Sequence, residues 1–188
     1  MAPDTDALQF EISKRNARVA GTRVLHRSES DVYNLSRTHM RIREFKSDLW
    51  LPRPLEEIFA FFSDAANLNA LTPPWLNFRM VTASPIEMSV GTLIDYRLRI
   101  RGIPVSWRTR ITVWEPPVRF ADEQLRGPYT FWRHEHEFES KDDGTLVRDR
   151  VSYAVPFDFI AHGLVVKRDV QRVFAYRQEK LREIFIKD

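Results

Sequence analysis

The sequence contains no cysteine. Disulfides, thiolate nucleophiles and cysteine-ligated zinc are thereby excluded, and a reducing cytosol is the expected compartment. Long apolar runs are also missing. The stretch Ile58 to Phe62 is typical of what occurs, whereas a membrane-spanning helix needs about 20 apolar residues. Met1 to Ala20 carries no secretory apolar core. Excess charge of one sign is lacking too: the formal net charge of +3 over 188 residues says little about a nucleic-acid partner. No serine sits in a nucleophile elbow, and there is no internal repeat or low-complexity tract. A soluble chain of one domain is expected, without stable membrane insertion.

What the chain has in quantity is aromatic surface, with 13 Phe, 5 Tyr and 5 Trp. Such side chains fill cores and line ligand pockets. Residues 1–39 are polar and weakly patterned. They read as a solvated, disordered extension or as a flexible tail able to touch anionic surfaces, with Met40 as an alternative start. The folded unit is expected over 40–188.

From residue 42 the patterning sharpens. Ile42 to Leu51 reads as a strand, Leu55 to Ser63 as an amphipathic helix, and Asp64 to Leu71 as a second short helix closed by Thr72-Pro73-Pro74. Strands follow over 78–84, 92–101, 105–114, 118–126, 130–140 and 145–155. Their turns fall at Gly102, Pro116-Pro117, Gly127-Pro128 and Asp142-Asp143-Gly144. In the pair 92–101 and 105–114, Ile94, Tyr96, Leu98, Trp107 and Ile111 share one side. Arg97, Arg99, Arg108 and Arg110 take the other, as in antiparallel strands wetted on one face. Over 159–186 the period becomes helical, with Val166, Val170, Val173, Phe174, Leu181, Ile184 and Phe185 on one stripe, and a bend is expected near His162-Gly163. The class is α+β: a curved antiparallel sheet gripping a long C-terminal helix, with a cavity between them.

Several segments then carry a resemblance: Asn67-Leu68-Asn69-Ala70-Leu71-Thr72-Pro73-Pro74-Trp75, Gly91-Thr92-Leu93-Ile94-Asp95-Tyr96, Trp114-Glu115-Pro116-Pro117, Gly127-Pro128-Tyr129 with Trp132 and His134-Glu135-His136, and Phe174-Ala175-Tyr176-Arg177. Over about residues 42–186 the chain resembles the START-related SRPBCC superfamily. That group has the helix-grip fold and includes lipid-transfer, birch-pollen-allergen-like, coenzyme Q-binding and polyketide cyclase members. The nearest likeness is to bacterial ligand-binding SRPBCC domains sometimes joined to an epimerase-like nucleotide-sugar domain. The resemblance implies a carrier or binding protein for a small hydrophobic ligand such as a lipid, isoprenoid, quinone or polyketide. A cyclase or dehydratase-type enzyme and a regulatory module for an epimerase-like partner are the alternatives.

Strand alternation nominates the pocket independently. If sequential hairpins hold register, His136 faces Asp149, Trp132 faces Tyr153, His134 faces Asp122 and Gln124 faces Trp132. Asp149 would then hold His136 and Asp122 would hold His134, each fixing an imidazole tautomer at the polar end of the pocket. An internal hydrogen-bond network, or a histidine pair facing solvent, are the competing readings. In the enzyme alternative His136 or His134 is the general base, and Tyr153 or Arg177 polarises a carbonyl. Arg177 interrupts the apolar stripe of the last helix, either as an anchor for a ligand oxygen or as a stem whose head reaches water. Tyr96, Leu98 and Trp107 complete the expected lining, and Trp75 is placed at the mouth. His134 and His136, two apart with carboxylates nearby, have metal-ligand spacing, but neither metal nor cofactor is expected. The basic strand face carries no RNA-reading motif, so no nucleic acid is expected.

Overall fold

A computed structural model describes residues 41–155 and 160–186, with the side chains of 160–164 outside the description. The extension over 1–39 lies outside the described residues. Strand β1 (Arg43–Leu51) leads into helix α1 (Leu55–Ser63), a 3-10 turn (Ala65–Asn67), helix α2 (Leu68–Leu71) and a second 3-10 turn (Pro74–Leu76). Then come β2 (Arg79–Met80), β3 (Leu93–Ile100), β4 (Ile103–Glu115), β5 (Arg119–Arg126), β6 (Phe131–Lys141), β7 (Gly144–Ala154) and helix α3 (Ile160–Phe185).

The strands form one seven-stranded antiparallel sheet in the order β1-β7-β6-β5-β4-β3-β2. Five of its strands follow as a meander from β3 to β7, and β1 returns to close the far edge against β7. Register shifts in the β4–β5 pairing fall between Arg108 and Thr109 and between Ile111 and Val113; such bulges bend a strand and increase its local twist. The turns that fix the hairpins use left-handed backbone at Arg101 and Gly102, and at Asp142 and Asp143. Both suit the tight connection of twisted strands. Gly144 belongs to β7 rather than to the turn. Its place needs glycine because a Cβ there would lie 2.4 Å from the Leu51 carbonyl oxygen and 2.7 Å from the Trp50 ring.

The strand expected over 78–84 shrinks to Arg79–Met80. The amides of both Val81 and Thr82 point at the single carbonyl of Asp95, so the ladder loses register there, and Pro85 has no amide to restore it. Helix α3 runs continuously through His162 and Gly163. Of its expected stripe, Val170, Phe174, Leu181 and Phe185 are buried, but Ile184 is 41% exposed.

The solid core sits at one end, where α1 and the last turns of α3 pack Ile58, Phe59, Phe62, Leu181 and Phe185 on Leu49, Leu51, Phe120, Phe138 and Val147. Toward the other end of the helix only a smaller group, Val151, Tyr153, Val170 and Phe174, ties α3 to the sheet. Over Val166 to Arg177 the helix stands away from β3, β4 and β5, and that separation forms the site.

Candidate ligand cavity

The space beneath α3 is a cavity of about 750 Å³, lined from β3, β4, β5 and β6, from the turns after α1, and from α3. Its walls follow from strand alternation. Tyr96 and Leu98 of β3, Trp107 of β4, Asp122 of β5, and Trp132, His134 and His136 of β6 all point inward, and Arg177 descends from α3. The aromatic wall is continuous: the Tyr96 and Trp107 rings stack at 5.8 Å, and Trp107 meets Trp132 edge-on at 5.4 Å. Tyr129 joins them, its ring 4.6 Å from that of Trp132.

The expected register holds where it is decisive. His136 lies opposite Asp149, Trp132 opposite Tyr153, and His134 opposite Asp122. His134 and His136 are 6% and 3% exposed, so the solvent-facing reading is excluded. The bonding differs from the two separate pairs expected. His134 Nε2 donates to Asp149 Oδ1 at 3.0 Å. His136 Nδ1 comes within 2.8 Å of the same oxygen, but off the line a ring N–H needs, so it has no hydrogen bond. One carboxylate thus serves both imidazoles, whose rings lie 3.9 Å apart. Asp122 instead accepts from the Thr109 hydroxyl at 2.6 Å.

Three nominated residues stand behind the wall. Asp149 lies beneath the histidines. Gln124 spends its amide on the backbone of Tyr129, with Nε2 donating to the carbonyl at 2.7 Å, and so closes the β5–β6 connection. Tyr153 is buried with Val151, Val170 and Phe174. Thr109, Ile94 and Ile111 line the cavity without having been nominated, although the alternation that selected Trp107 places them on the same face. Phe62 and Phe174, contributed by the helices, have no strand signal to announce them.

Arg177 enters between the rings of Phe62 and Phe174, with its guanidinium carbon 5.5 and 5.9 Å from their centroids. Its Nε is buried without a hydrogen-bond partner, as is the indole Nε1 of Trp107. At the exposed rim, Arg101 forms a two-pronged bond to Asp169 of α3, at 2.8 and 3.0 Å. Trp75 is capped by the Arg172 guanidinium at 4.2 Å and meets the Tyr176 ring edge-on.

The electrostatics follow from this packing. Burial, reinforced by the nearby His134 and Arg177, pulls the His136 imidazole from 6.5 down to about 3 against the opposing pull of Asp149. Burial raises Asp122. Burial would raise Asp149 as well, but the imidazoles of His134 and His136 and the Arg177 charge outweigh it and hold this carboxyl well below its ordinary 3.8.

The sign of the pH effect is then fixed. Between about pH 6.5 and 3 the unfolded chain protonates His136 and the folded chain does not, so stability falls with falling pH, by up to about 1.4 kcal/mol per unit. Asp122 works in the opposite direction, and Asp149 matters only below its ordinary value. The stability difference between the parent and His136→Phe should therefore shrink by roughly that slope from about pH 6 to 4.5 in denaturant melts. A flat difference would show that His136 takes its proton inside the fold.

Asp122, His134 and His136 offer ligand atoms that all lie within 4.8 Å of one another. The Arg177 charge acts on Asp122 and His136 at the same end of the cavity.

A family model described as polyketide cyclase / dehydrase and lipid transport matches residues 51–182. No curated protein matches the chain. Among solved structures, Ara h 8.0201 is 14% identical with a TM-score of 0.55, covering 76% of this chain and 99% of that one. The Zhui aromatase/cyclase of a Streptomyces species is 14% identical with a TM-score of 0.56, covering 77% and 96%. A nucleoside-diphosphate sugar epimerase of Corynebacterium glutamicum is 24% identical with a TM-score of 0.56, covering 74% of this chain but only 28% of that one. At these identities the likeness is one of fold: the helix-grip architecture of the SRPBCC superfamily.

Proposed function

The chain belongs to the polyketide cyclase / dehydrase and lipid transport family, and from that premise we propose that it binds and carries a small hydrophobic molecule bearing a carbonyl or carboxylate at one end. Lipids, isoprenoids, quinones and polyketides are the ligand classes that answer this description. The observation that carries the reading is the composition of the cavity. Its walls are aromatic and aliphatic, whereas at one end Arg177, set between Phe62 and Phe174 beside the histidines, has its Nε buried without a hydrogen-bond partner among the described residues. A buried donor left unpaired costs about 1–3 kcal/mol. A ligand oxygen beside it recovers that cost while the apolar body fills the rest.

The enzyme alternative, with His136 as general base, finds less support in the geometry. A base held at about 3 is poorly matched to work near neutrality. Of the two residues that would polarise a carbonyl, Tyr153 stands behind the wall and Arg177 lines the cavity. Among the described residues no helix is long and apolar enough to cross a membrane.

Native mass spectrometry and solvent extraction of protein purified without detergent test the proposal. A single apolar molecule with an oxygen-bearing end, displaced in Arg177→Met, is the expected result. Recovery of only polar metabolites, or turnover of a poly-β-keto substrate that His136→Ala abolishes, would replace carriage by another function.

A further inference from the structure

The outer face of the sheet divides into two unlike halves. On β1, β6 and β7 acids and bases interleave and pair: Lys46 with Glu44, Arg148 with Glu139, and Arg133 with both Glu123 and Glu135. On β2, β3 and β4 the outward side chains include Arg79, Arg97, Arg99, Arg108 and Arg110, and Arg126 at the end of β5 joins them. All six are exposed. Asp95 answers Arg108 through two bonds, at 2.8 and 2.9 Å. Arg79, Arg97, Arg110 and Arg126 form no ion pair among the described residues, and Arg99 only caps the Gly102 carbonyl.

The register makes this arrangement costly. Arg79 stands directly opposite Arg97, and Arg108 directly opposite Arg126. Like charges facing each other across strands destabilise a sheet, so folding alone does not account for them. Guanidinium groups match phosphate geometry in forked pairs and shed water readily.

We propose that this outer face of β2–β4, with Arg126, docks onto an anionic lipid bilayer. Several observations select that occupant. Exposed Val81, Leu93 and Leu125 lie among the arginines, and Ile103, 67% exposed, tips the β3–β4 hairpin. A bilayer interface accepts such a mixture of basic and apolar groups. A nucleic acid would want rings for its bases, but Tyr96 and Trp107 face the cavity and Trp114 packs inward on Phe59 and Phe120. The docking face stands whether or not the cavity holds an apolar ligand.

Sedimentation with vesicles tests it. The full chain should bind vesicles of equimolar phosphatidylcholine and phosphatidylserine and ignore phosphatidylcholine alone. Binding should vanish near 1 M salt, where charges are screened beyond about 3 Å. At roughly 1 kcal/mol per basic group, the triple substitution Arg97→Gln, Arg99→Gln and Arg110→Gln should lower partition about 100-fold without lowering the melting temperature. Lys46→Gln and Arg150→Gln on the β1–β7 half of the sheet, with Lys167→Gln on α3, remove the same charge outside the patch and should change it by less than about threefold. An equal loss in both triples would reduce the effect to net charge and overturn the proposal. So would vesicle binding that ignores lipid charge, or a preference for a single-stranded oligonucleotide over anionic vesicles.

Discussion

Replacing Phe174 with alanine should cost about 3–5 kcal/mol of folding stability, the range for truncating a fully buried ring. Phe174 is 4% exposed. Its ring lies 4.6 Å from that of Phe45 on the edge strand and meets His134 edge-on at 5.3 Å. It is thus the contact that pins the middle of α3 to the β1–β7–β6 part of the sheet. The cavity begins immediately beyond it, so neighbours have little material with which to fill the void, and the cost should fall in the upper part of the range. Guanidinium melts of the parent and Phe174→Ala measure it. A loss below about 0.5 kcal/mol would show that the helix is held elsewhere, and the roof of the cavity with it.

Asp149→Ala should be nearly as damaging, at about 3 kcal/mol or more. The carboxylate is buried, it receives His134, and it is the short contact of His136. It is also an acid whose charge Arg177 feels from the helix. Removing it takes the acceptor from His134, leaves His136 without the carboxylate it abuts and Arg177 without a nearby buried anion, and breaking a buried charged network from one side costs more than never having built it. Asp149→Asn keeps the shape and loses the charge. It should recover part of the stability while leaving His134 and His136 free to adopt other tautomers, which nitrogen-detected NMR of the two rings would report. Equal stability of all three proteins would mean that the histidines are held by packing alone.

The parts of this arrangement legible in sequence are those governed by a period of two and by short turns. The hairpin turn at Asp142-Asp143 allows one register, and that register carries His136 to Asp149 and Trp132 to Tyr153. The sharing of Asp149 was not legible, because the bond to His134 runs diagonally, and pairing rules name the residue directly across the ladder while long side chains also reach the diagonal one. Tyr153 illustrates a second gap. Alternation assigns it to the inner face, but whether an inner residue meets the cavity or the helix depends on where α3 crosses. Val170 and Phe174 cover Tyr153, whereas the helix has lifted away by the time it passes Tyr96. Arg177 was conspicuous as a cation within an apolar stripe, and burial of such a group without a partner is the kind of local inconsistency that marks a site. The shortening of β2 had no such signal, since it arises from both Val81 and Thr82 turning to the one carbonyl of Asp95.

The central claim is that one cavity binds an apolar molecule and holds its oxygen through Arg177. The most direct measurement is titration with a fluorescent fatty-acid analogue, in parallel on the parent, Leu98→Trp and Arg177→Met, with a melt of each. Leu98 is a wall residue on β3, and an indole in its place fills the space the probe needs. The account predicts saturable one-to-one binding to the parent, loss of binding in Leu98→Trp, and a ten- to roughly hundredfold weaker affinity in Arg177→Met, the effect of about 1.5–3 kcal/mol for a lost charged hydrogen bond. Binding that survives Leu98→Trp, or is indifferent to Arg177→Met, would contradict it.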